Sequence, residues 1–120
     1  MENPKLPAVY ILASRYRGTL YVGVTSELYI RIHNHKNELY DGFTKKYQVK
    51  TLVWYAHLAN MEEAINVEKQ IKAWKRQWKI ELVEKHNSDW SDLHEEIDGN
   101  LMYFPPKRGP SFRWDDGAVN

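Results

Sequence analysis

The chain has 120 residues, 42% hydrophobic and 28% charged, about the length of one domain and the composition of a folded protein, which excludes a disordered one. It contains no cysteine, which excludes disulfides, thiolate metal sites and cysteine nucleophiles, and no apolar run nears the ~20 residues of a membrane helix. The net charge of +1 is split, with 14 Lys and Arg against 9 Asp and Glu in residues 1–85 and 3 against 7 in residues 86–120, so a basic body suited to a polyanion precedes an acidic tail.

The start, Met1-Glu2-Asn3-Pro4, lacks the basic-then-apolar pattern of a signal peptide, and a cytoplasmic location is expected. Residues 8–14 (AVYILAS) and 19–25 (TLYVGVT) are short β-prone runs separated by Arg15 to Gly18, with Gly18 able to take positive φ, which predicts a β-hairpin. Ser26 is the expected N-cap of a first helix whose apolar Leu28, Ile32 and Leu39 carry it to about Tyr40. After a basic loop, Thr44-Lys45-Lys46, residues 50–58 (KTLVWYAHL) predict a central strand.

Asn60 is the expected cap of a second helix that runs to about Trp74 and bends into a third ending near Lys85. Ala64, Ile65, Ile71 and Trp74, with Val67 at the edge, form the stripe expected to face the sheet. A short ordered segment from Trp90 to Ile97 is expected next, and then a loose stretch punctuated by Pro105-Pro106, Gly109-Pro110 and Gly117. The order β-β-α-β-α-α implies an α+β domain, a small sheet flanked by helices, over residues 1–93, with a tail over 94–120.

Candidate chemistry lies in a few places. Tyr10 and Tyr21 sit on the two strands of the hairpin, where pairing can bring both hydroxyls to one face. Arg31 and His35, four apart, share a face of the first helix, and Glu68 borders the apolar stripe of the second, where a carboxylate needs a partner or a metal. His33 and His35 point apart at i,i+2, which argues against zinc. Lys69, Lys72, Lys75, Arg76 and Lys79, interleaved with Trp74 and Trp78, either grip a phosphate backbone with aromatic stacking or form a solvated face over core tryptophans. Lys45 and Lys46 are open to both readings.

Tyr10, Tyr21-Val22-Gly23, Arg31, His35, Glu68 and Asn87, in that order, together with the blocks GFTKKY, EKQIKAW and NSDWSDL, resemble the GIY-YIG endonucleases, and most closely the small standalone bacterial GIY-YIG domain proteins. The resemblance covers residues 8–93. It implies the GIY-YIG nuclease fold, with a three-stranded, mainly antiparallel sheet. It implies an endonuclease that hydrolyses phosphodiester bonds in DNA or another nucleic acid, using Mg²⁺ or Mn²⁺ and no small-molecule cofactor.

By the same resemblance Glu68 is the metal ligand, Arg31 the phosphate clamp and Tyr10 the general base for the activated water. Tyr21 positions water or phosphate, and His35 is a proton relay or phosphate donor. Gly23 and Asn87 are structural, and Lys45, Lys46, Lys69, Lys72, Lys75 and Arg76 are the nucleic-acid-binding set. Val9 and Val24 depart from the family pattern, and Asn87 lies farther beyond Glu68 than the family's asparagine. The alternatives are a non-catalytic nucleic-acid-binding module of the same fold, and an interaction protein whose acidic tail docks on the body or on a partner.

Overall fold

The computed structural model describes residues 6–39 and 42–97. Strands β1 (Ala8–Ala13), β2 (Leu20–Thr25) and β3 (Thr51–His57) form one antiparallel sheet in the order β2-β1-β3. Helix α1 (Leu28–Lys36) and the single-turn α2 (Phe43–Lys46) fall between β2 and β3, and α3 (Met61–Ala73) and α4 (Arg76–His86) follow β3. The expected α+β architecture, a three-stranded antiparallel sheet flanked by helices, is the one observed.

The central strand is β1, not β3. All six β1 residues are buried, as an uninterrupted apolar run requires of a strand covered on both faces. Val9, Ile11 and Ala13 pack with Ala64 and Ile71 of α3 and Ile80 and Val83 of α4. Ala8, Tyr10 and Leu12 pack on the other face with Leu28 and Ile32 of α1. The sheet therefore separates two small cores. Residue parity along β1 decides which core a side chain enters.

The hairpin turn places its positive φ on Arg17, at 51°, and not on Gly18. A Cβ at Gly18 would meet Ser14 Oγ at 2.3 Å, so a side chain there would displace that hydroxyl from the Thr19 N–H it accepts. Arg17 is held in this conformation by two hydrogen bonds to Glu84, at 2.7 and 2.8 Å. Arg76 donates to the Arg17 carbonyl at 2.6 Å.

Helix α1 differs from expectation at both ends. Thr25 Oγ1 accepts the Glu27 N–H at 3.0 Å, and the N-cap falls on Glu27 without a side-chain cap, one residue past Ser26. The helix ends at Lys36, four residues before Tyr40, because Glu38 turns into the left-handed region at φ 57°. Leu39 consequently leaves the helical face and is 65% exposed. Gly42, at φ 105°, then starts α2 where a loop was expected.

Asn60 caps α3 as expected, its side chain accepting the Glu63 N–H at 2.9 Å. The core-facing stripe of α3 is Ala64 and Ile71, both buried, with Val67 partly buried beside them, while Ile65 is 37% exposed. At 100° per residue Ile65 lies a quarter turn from Ala64. Glu68 is nearer the stripe's centre.

The segment from Trp90 to Ile97 is ordered and ends in a 3-10 turn, His94–Ile97. Leu93 N–H donates to the Leu52 carbonyl at 2.8 Å, and Ile97 is buried beside α1. The tail from residue 98 lies outside the described residues. No described helix is long and apolar enough to cross a membrane.

Candidate active site

The register of the hairpin sets the site. Tyr10 pairs with Gly23 and Leu12 with Tyr21, so Tyr10 and Tyr21 share a face on the diagonal, their ring centroids 6.3 Å apart. Gly23 makes this possible. A Cβ at position 23 would lie 2.4 Å from the Tyr10 hydroxyl and 2.5 Å from its Cζ, so the phenol of Tyr10 occupies the space that a side chain would fill.

His35 reaches the two tyrosines from α1. Its Nε2 is 3.3 Å from the Tyr10 hydroxyl and its Nδ1 is 3.2 Å from Thr44 Oγ1 on α2. Its ring centroid is 5.8 Å from that of Tyr21. Burial, and then the positive charge of Arg31, push the imidazole down to a pKa of about 4, so it is neutral near pH 7. A neutral imidazole offers one N–H and one lone pair, and the hydroxyls of Tyr10 and Thr44 can each serve either. The row Tyr10–His35–Thr44 joins β1, α1 and α2 below the surface.

Three members lie nearer to solvent. Tyr21 and Arg31 are half-buried, and the side chain of Glu68 keeps 12% of its surface exposed while accepting Lys72 Nζ at 2.7 Å. The Glu68 carboxylate holds the Lys72 ammonium charged, and Tyr21 adds to that effect. Among the described residues no three His, Asp or Glu side chains gather into a metal cage. A single carboxylate fits a hard cation that keeps most of its waters, and does not fit zinc.

The remaining basic residues are spread over α2, α3 and α4. Lys75 lies over the Trp78 ring at 5.4 Å, Arg76 is bonded to the hairpin turn, and Lys69 is exposed on α3. Trp74 packs against the core beneath α3 and α4, and Trp78 is half-buried beside it. Lys45 and Lys46 are exposed on α2, the wall that supplies Thr44.

Asn87 is buried and structural in its contacts. It donates to the carbonyls of Val53 and Ser91 at 3.0 and 2.9 Å and accepts from the Ser91 N–H at 3.2 Å. Thr44 was not foreseen. The block GFTKKY drew attention for its lysines, yet its threonine faces the histidine.

The small antiparallel sheet pairs two tyrosines on one face, backed by a histidine, and helices cover both of its faces in an α+β domain. The family model of the GIY-YIG catalytic domain matches residues 6–81, and the chain belongs to the GIY-YIG family. The substrate class of that family is nucleic acid, and the match spans Tyr10, Tyr21, Arg31, His35 and Glu68 while ending before Asn87. Neither the curated proteins nor the solved structures contain a match to the chain.

Proposed function

We propose that the chain is a divalent-metal-dependent endonuclease that hydrolyses phosphodiester bonds in DNA. The observation that carries this reading is the meeting of Tyr10, Tyr21 and His35 from three separate elements, at the ring distances given above. Glu68 would hold the cation, Mg²⁺ or Mn²⁺, which when bound supplies a Lewis acid for the phosphate.

The chain's own groups divide the remaining work. Arg31 offers paired N–H donors to non-bridging phosphate oxygens as negative charge grows there. Resemblance points to Tyr10 as the general base. Its ring is wholly buried and its hydroxyl bonded to His35, whereas Tyr21 is half-exposed. Tyr21 is therefore assigned to take the proton of the attacking water, and the Tyr10–His35–Thr44 row to hold the face in register. Lys45, Lys46 and Lys69, all exposed, are assigned to the phosphate backbone. Lys72, paired with Glu68, supplies charge beside the cation site.

The Glu68–Lys72 pair also favours a second reading. A carboxylate already neutralised by a lysine suits a domain that binds nucleic acid without cutting it.

One experiment separates the two. Wild type, Glu68→Ala, Tyr21→Phe and Tyr10→Phe are incubated with plasmid, single-stranded, branched and RNA substrates in Mg²⁺, Mn²⁺ or EDTA. The nuclease reading requires metal-dependent cleavage by wild type that Glu68→Ala abolishes and that Tyr21→Phe lowers by about 100-fold or more, with a smaller loss in Tyr10→Phe. Proteins that are uniformly inert yet retain salt-sensitive binding establish the binding module. Equal losses in the two tyrosine variants remove the assignment to Tyr21.

A further inference from the structure

Phe43 and Tyr47 are 46% and 47% exposed, and neither belongs to the two cores among the described residues. Their rings lie 4.9 Å apart. Phe43 is also stacked on Tyr21, with centroids 6.3 Å apart and planes 29° from parallel. An aromatic row, Tyr47–Phe43–Tyr21, thus runs from open surface to the candidate reaction centre. Lys46 Nζ stands 5.4 Å from the Tyr47 ring centre, and Lys45 adjoins it in sequence.

We infer that Phe43 and Tyr47 form a stacking platform for an unpaired nucleobase, so that nucleic acid reaches the site single-stranded or locally opened. The inference rests on the nuclease reading for the identity of the neighbouring site. Aromatic faces beside lysines are the arrangement that binds single strands, the rings stacking on bases and the ammonium groups tracking the backbone. A paired base has both faces covered by its neighbours and offers only edges in the grooves, which are read by hydrogen-bonding side chains. Phe43 can make no such bond. Adjacent positions on α2 also divide the labour, because Phe43 faces solvent while Thr44 is buried against His35. A base stacked on Phe43 would therefore place its strand beside the tyrosine face.

The test is fluorescence anisotropy in EDTA, with labelled oligothymidylate, an abasic strand of equal length, oligouridylate, and a duplex. Wild type is expected to bind oligothymidylate roughly tenfold more tightly than the abasic strand. Phe43→Ala and Tyr47→Ala should erase that preference, Phe43→Leu should erase it while keeping apolar volume, and Phe43→Trp should retain it. Oligouridylate bound as tightly as oligothymidylate extends the platform to RNA, and weaker binding restricts it to DNA.

Equal binding of base-bearing and abasic strands by wild type, tighter binding of the duplex, or a preference that survives in Phe43→Leu overturns the inference. Because the readout needs no turnover, the two readings can fail separately. A base preference without cleavage in Mg²⁺ removes the nuclease and leaves the platform. Cleavage without a base preference does the reverse.

Discussion

His35 is the residue in which burial, charge and hydrogen bonding meet. Its pKa falls from 6.5 to about 4 because burial and Arg31 both oppose its proton. The unfolded chain then binds more protons than the folded one between those values, so stability rises with pH across that window. The contribution is complete above about pH 6.5 and is lost as pH falls toward 4, by up to about 3 kcal/mol at 1.36 kcal/mol per pKa unit. Urea midpoints measured from pH 4 to 7 should show this slope in wild type and a flatter one in His35→Gln. An unchanged slope in the variant would assign the acid sensitivity to other groups. The nearness of Tyr10 to Tyr21 was legible from their places on two paired strands, and the shared face of Arg31 and His35 from helical spacing, while the part each plays came from the resemblance. Thr44 was not, because a single hydrogen bond between α1 and α2 leaves no periodicity to read.

At the scale of elements, the hairpin, β3 and the capped α3 were legible because alternation, β-branched content and an N-cap are local signals. The early end of α1 was not, since Glu38 is a residue that rarely takes positive φ, and the single turn of α2 is too short for a pattern. Position 65 was misassigned because a one-residue offset on a helix is a 100° rotation. The pairing of β1 with β2 carries its own prediction. Gly23→Ala drives a Cβ into the Tyr10 phenol, and such overpacking should cost about 1–3 kcal/mol. Cleavage should fall with it, because Tyr10 cannot remain on His35. Calorimetry alongside turnover checks this, and wild-type stability in Gly23→Ala would show that the phenol has another resting place.

At the scale of the molecule, Asn87 joins parts distant in sequence. It ends α4, bonds to the backbone of β3 and fixes the turn at Ser91. Removing its amide leaves buried backbone groups without their partner. Asn87→Ala should therefore lower stability by about 2–4 kcal/mol, at about 1 kcal/mol or more for each bond lost. Metal-dependent cleavage by the fraction still folded should be preserved, as the site lies elsewhere. Chemical denaturation and turnover per folded molecule check the two halves, and a catalytic loss without destabilisation would give Asn87 a part in the reaction.

The hairpin turn is bolted to α4 by Glu84, which takes both Arg17 and the Trp90 indole, and by Arg76 on the Arg17 carbonyl. The strands bearing Tyr10 and Tyr21 thus cannot swing outward without breaking several bonds at once. The proposed site then has one braced jaw, the hairpin, and one jaw, α2, whose side chains Phe43, Lys45 and Lys46 face outward while Thr44 faces His35. On the proposed reading, exchanging Phe43 and Tyr47 while keeping Thr44 would change what the protein grips and leave intact the proposed means of cutting.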